Sequence, residues 1–176
     1  MCELISGYDK VCDTQGGVET WYLFAMKDST GTSNIDTYTT ANGQVTGLTL
    51  VTGKYAYPFN VEMETSTFTD KSLGDRANGA YAREQSATVV LHGNTAEMIV
   101  MVEQLAQGRV GAIAKCNDGT YELLFAENGA KCNDERAVGT KYEDMNGTTL
   151  TFTGKEKQKA CKISSSIVNA LLEPAS

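Results

Sequence analysis

The chain holds one histidine, so a catalytic triad or a histidine-based metal site has to use His92. His92 stands in Leu91-His92-Gly93-Asn94, between an alternating run and a helical pattern, where a lone histidine is ordinarily a turn residue. A Cys–His nucleophile needs one of five cysteines beside it, and nothing in the local sequence selects among Cys2, Cys12, Cys116, Cys132 and Cys161. Their odd number, wide spacing and lack of CxxC pairs predict reduced thiols, neither a disulfide scaffold nor a zinc site. The carboxylate pairs Glu62/Glu64 and Glu143/Asp144 do acid–base work only in a cleft that separates their pKa values. On a threonine-rich strand they read as solvated faces. Gly47 to Gly53-Lys54 has the wrong spacing for a phosphate loop and no helix after it. Asp70 and Asp75 with Gly74 and Gly79 lack the alternating oxygens and terminal Glu of a calcium loop. Asn146-Gly147-Thr148 is a formal glycosylation sequon, without meaning unless the chain is secreted. Trp21 with the tyrosines suggests a sugar platform, but it lies inside an apolar strand and reads as core. The expectation is no catalytic residue, no cofactor and no metal.

The elements that would position these residues are mostly strands. Val18–Met26 is continuously apolar, which predicts a strand covered on both sides. Residues 27–34 read as a loop. Asn34–Thr40 and Gln44–Val51 alternate around Asn42-Gly43, a strong hairpin signal. Lys54–Thr69 reads as the longest extended stretch, with Pro58 at an edge or bend. Alternation puts Val61 and Met63 on one face of it and Glu62 and Glu64 on the other. Its expected partner is Ala80–Leu91, with Ala87, Val89 and Leu91 sharing a face. Asp70–Gly79 between them is polar and long for a hairpin connection, so it is assigned as a working loop.

One helix is expected over 95–107. Asn94 is its N-cap, Glu97 completes a capping box, and Gly108 is the C′ glycine. Met98, Met101, Val102 and Leu105 form its apolar face. Arg109–Lys115 and Thr120–Ala126 form a second hairpin around Asn117-Asp118-Gly119. Residues 130–147 read as irregular, and Thr148–Thr153 as a final strand with Leu150 and Phe152 on one face. The tail, mildly apolar at Ile163–Leu172, is either a short helix or an arm on a neighbour. The pattern predicts a mainly β fold: one domain, a β-sandwich or partly open barrel with one flanking helix.

The whole chain bounds the function. Its 176 residues suffice for a real core, and a hydrophobic fraction of 41% argues against disorder. A net charge of −7 argues against a nucleic-acid grip, yet suits a surface that DNA must pass without sticking. Residues 1–17 show no signal-peptide pattern and no apolar run reaches membrane-spanning length, so synthesis in a cytosol and no membrane contact are expected.

The runs EQSATVVLHGNTAEMIVMVEQLAQGRVGAIAKCNDGTYELLFAENG and GTKYEDMNGTTLTFTGKEKQKA, with the start CDTQGGVETWYLF, resemble small virion proteins of phages of Bacteroidetes-type hosts, crAss-like phages included. The resemblance is to the tail tube and tail ring proteins. It covers roughly 80–160 well and 10–26 loosely; residues 27–79 match only in kind. It implies a β-sandwich with one outer helix whose sheets join between copies into a ring, commonly a hexamer. A continuous barrel then lines a channel for DNA, and rings stack on one another and on other tail proteins. On this expectation Glu62, Glu64 and Glu84 line an acidic lumen. Asp70, Lys71, Leu73, Asp75, Arg76 and Asn78 form a ring-stacking loop. Met98, Met101, Val102 and Leu105 serve helix packing or subunit contact, and the tail 155–176 is an assembly arm. The location implied is the virion tail, assembled in the bacterial cytoplasm. A non-catalytic sandwich that binds carbohydrate or a host surface is the second reading.

Overall fold

The computed structural model describes residues 7–9 and 15–174. Cys2, Cys12 and most of residues 1–14 lie outside them. In chain order the elements are β1 (Val18–Ala25), β2 (Ile35–Ala41), β3 (Gln44–Leu50), β4 (Tyr57–Asn60), β5 (Thr67–Asp75), a 3-10 turn (Arg76–Asn78), β6 (Ala80–His92), α1 (Ala96–Gln107), β7 (Val110–Cys116), β8 (Tyr121–Leu124), β9 (Lys131–Val138), β10 (Asn146–Glu156), β11 (Cys161–Ile163) and α2 (Ser165–Leu171). They build two sheets. The larger has seven strands in the order β2-β3-β11-β8-β7-β1-β4, and the smaller has four, β5-β6-β10-β9. The fold is mainly β and sandwich-like, and neither sheet closes into a barrel within the described residues.

β1 explains the layering. Trp21 and Leu23 join Val89, Leu150 and Phe152 of the smaller sheet in one buried cluster. Phe24 and Met26, on the other face, join Val45, Leu48, Val168 and Leu171 in a second. The continuous apolar run therefore reports burial on two sides, as the sequence predicts. β5 starts beside Val18, Cys116 and Lys162 at one end of the larger sheet. Ala130, just before β9, bridges to Val110 at the other end. The strands of the two layers therefore cross steeply.

Both expected hairpins form. Asn42 and Gly43 take φ of 51° and 76°, the left-handed pair that a two-residue turn needs. Pro58 sits on an edge strand, as expected. Trp21 is 0% exposed and belongs to the core.

Five expectations are corrected. Lys54–Thr69 is not one strand: β4 joins the larger sheet, residues 61–66 turn, and β5 enters the smaller one. Most of Asp70–Gly79 is not a loop, because β5 pairs with β6 from Thr67↔Thr88 to Asp75↔Ala80. Residues 130–147 are irregular only over 139–145, because β9 pairs with β10 along its whole length. The helix cap is Thr95, whose side chain accepts the Met98 N–H at 3.3 Å, and Gly108 is extended, not left-handed. The tail is part of its own fold. β11 is wedged between β3 and β8, and Val168 and Leu171 of α2 are buried in the second cluster. It is a short helix, as one of the two alternatives had it, and residues 155–172 are not a free arm.

Candidate assembly surface

The smaller sheet has a distinctive outer face. Its inner face carries Phe68, Ala87, Val89, Leu150 and Phe152, which face the core. Strand alternation therefore turns Thr67, Thr69, Ser86, Thr88, Thr149, Thr151 and Thr153 outward. They line up across the strands: Thr67, Thr88 and Thr151 form one row, and Thr69, Ser86 and Thr153 the next. Thr69 Oγ1 and Ser86 Oγ lie 2.7 Å apart. The charges on this face are few and balanced. Lys71 bridges Glu84 at 3.1 Å, and the remaining Lys131 and Lys155 are matched in number by Asp75 and Glu135 elsewhere on the face.

Buried polar contacts hold the face outward. Gln85 is 2% exposed, and its Oε1 accepts the Phe125 N–H at 2.8 Å. Glu156, 4% exposed, accepts the N–H groups of Glu127 at 3.0 Å and Asn128 at 3.1 Å. Burial pushes the Glu156 carboxyl above its ordinary value, and those N–H bonds offset only part of the push. Arg83 donates to Asp70 Oδ1 at 2.8 Å, and Asp70 Oδ2 accepts the Ala160 N–H at 2.9 Å. Apart from Arg83–Asp70, which joins β6 to β5, each contact ties the smaller sheet to the β8–β9 connection or to the segment leading into β11. An unpaired buried donor or acceptor costs about 1–3 kcal/mol, so these contacts fix one orientation of the two layers.

The sheet edges differ in kind. β4, an edge of the larger sheet, is four residues long and contains Pro58. At its other edge β2 meets β3 with two register irregularities. Both are devices that discourage further pairing. β5 and β9, the edges of the smaller sheet, have nine and eight residues. They pair without register shifts, and no backbone hydrogen bond joins their outer edges to another segment among the described residues. Val138, on β9, is 65% exposed.

The sequence-predicted site residues scatter. Glu62 and Glu64 lie exposed in the 61–66 turn, with Glu64 at a φ of 60°, and so are not on a sheet face. Glu84 is on the outer face of β6 but neutralised by Lys71. The acidic wall expected from these three residues is therefore not built. Asp70, Lys71, Leu73 and Asp75 are strand residues, and only Arg76 and Asn78 belong to the turn at the hairpin tip. Val102 is buried; Met98, Met101 and Leu105 pack partly buried beside it and line an open groove of about 610 Å³ with Tyr57 and Phe59. Trp21 is enclosed and offers no sugar platform. His92 is exposed at the end of β6.

No family model, curated protein or solved structure matches the chain.

The hydroxyl rows were legible in Thr148–Thr153 by alternation. β5 and β9 were missed because TFTDKSLGD and KCNDERAV are polar, as edge strands facing solvent or a partner chain can be. Charges of mixed sign, three in β5 and four in β9, would have been the available signal.

Proposed function

We propose that the chain is a structural building block of a bacteriophage tail tube or tail ring. Copies join through the edges of the smaller sheet into a closed ring, and the hydroxyl-rich face lines the bore. The supporting observation is the contrast between edges: the larger sheet's are blunted, whereas β5 and β9 are long and regular and their outer backbone groups pair with no other segment among the described residues, with α1 lying against the inner-face side chains of β9. Strands alternate in direction through β5-β6-β10-β9, so β5 and β9 run opposite to each other. The β9 edge of one copy then meets the β5 edge of the next antiparallel, and the alternation continues across the joint. A head-to-tail joint that closes leaves no free edge.

The bore this produces is neutral and hydroxyl-lined, not acidic. DNA passes such a wall without a grip because a grip needs clustered Lys and Arg, whereas here opposite charges are interspersed. A hexamer remains the expected copy number, with other tail proteins as partners and the virion tail as the location. Negative-stain microscopy and light-scattering mass across a concentration series test the reading. Rings or short tubes are expected. A chain that stays monomeric at high concentration across salt conditions refutes it.

A further inference from the structure

Resting on the ring reading, we infer that β9 of one copy pairs with β5 of the next in a single register, with Lys131 opposite Asp75 and Glu135 opposite Lys71. Three independent features select it.

The first is charge. On the outer face both of these pairs are of opposite sign, and cross-strand pairs of this kind favour one alignment over others. Within one copy, Lys155, Glu84 and Lys71 already form a row of alternating sign that stops at the β5 edge. Glu135 of the next copy continues it.

The second is the inner face. The same register sets Val138 opposite Phe68; Arg136 falls opposite Asp70, whose carboxylate is already held by Arg83 and the Ala160 N–H. The half-open edge of Phe68, which packs on Trp21 with ring centroids 6.1 Å apart, receives the exposed Val138 side chain. Sliding β9 by two residues one way leaves Lys131 against Leu73 and Glu135 against Thr69, so both opposite-sign pairs are lost. Sliding it two residues the other way carries Lys131 past the end of β5 to Ala77 and sets Glu135 against Leu73. A one-residue slip turns every side chain to the wrong face.

The third is closure. Within one copy Lys131 is level with Thr153, Ser86 and Thr69. Across the joint it meets Asp75 instead, six residues further along β5. Six residues advance about 20 Å along a strand while four strands span about 19 Å, which gives a tilt of about 45°. Closed barrels need strands tilted by roughly 35–45°. The stagger built into one copy thus supplies the tilt that a ring requires.

Disulfide mapping tests the register. Chains carrying Thr69→Cys with Ala137→Cys place two thiols directly opposite across the joint. Thr67→Cys or Lys71→Cys with Ala137→Cys shifts the pair by two residues, beyond about 7 Å, where a disulfide does not close. Thr69→Cys alone and Ala137→Cys alone set the background from native thiols, of which Cys132 is pushed up to about 11 by burial and stays protonated. Under mild oxidation the in-register pair should give a covalent ladder about five times faster than either shifted pair. Glu135→Lys should weaken assembly about fivefold, with recovery in the Glu135→Lys/Lys71→Glu chain. Rings whose ladder forms equally or better from a shifted pair overturn the register and leave the ring reading standing. No assembly and no ladder at any concentration overturn both.

Discussion

Gln85→Ala distinguishes the inner face of the smaller sheet from its outer face, the separation that turns the hydroxyl rows toward the proposed bore. Gln85 accepts the buried Phe125 N–H at 2.8 Å, and Phe125 holds a φ of 58° at the end of β8. Truncation leaves that N–H without a partner in a region water does not reach, a loss of about 1–3 kcal/mol. With a urea slope of about 2 kcal/mol per molar, the unfolding midpoint should fall by roughly 0.5–1.5 M. Thr88, three residues along β6, points outward, and Thr88→Ala should stay within about 0.5 kcal/mol of the parent chain. Urea unfolding followed by Trp21 fluorescence, at a concentration below assembly, measures both. If Thr88→Ala costs as much as Gln85→Ala, the sheet is turned over, and the hydroxyl rows face the core.

Three further outcomes are expected. Glu156 has a raised carboxyl pKa, so its contribution is fully present below the ordinary value of 4.5 and is lost as pH rises through the folded-state value. The stability of the parent chain relative to Glu156→Gln should therefore fall as pH rises through that window, and a flat or rising difference in pH-resolved melts would contradict the assignment. Ending the chain after Ser164 removes Val168 and Leu171 from the second cluster. Each buried side chain contributes about 1.5–3 kcal/mol, so the monomer itself should lose stability and bind a hydrophobic dye; an unchanged melt would restore the free-arm expectation. Val138→Asp should leave the monomer's melt within about 0.5 kcal/mol, because the site is exposed, while weakening ring formation in light scattering.

The sequence by itself determined what is local or periodic. The Val18–Met26 core strand, both Gly-containing hairpins, the apolar face of α1 and the inward pair Leu150 and Phe152 all follow from patterns that repeat within a few residues. A side chain's neighbours along the chain settle such features before the rest of the molecule forms. Tertiary structure alone decided the edges. β9 became a strand because β10 offered it a full ladder of backbone partners, although KCNDERAV carries no apolar alternation. β5 was lifted out of a supposed loop by β6, and Glu62 and Glu64 were left in a turn when the chain changed sheets at residues 61–66. The wedge β11 was invisible for the same reason, since three residues become a strand only where β3 and β8 leave a gap of the right width. Backbone hydrogen bonding between distant segments carries no residue-type signature, so which strands end up at a border, and how far they are staggered, is settled only when the layers pack.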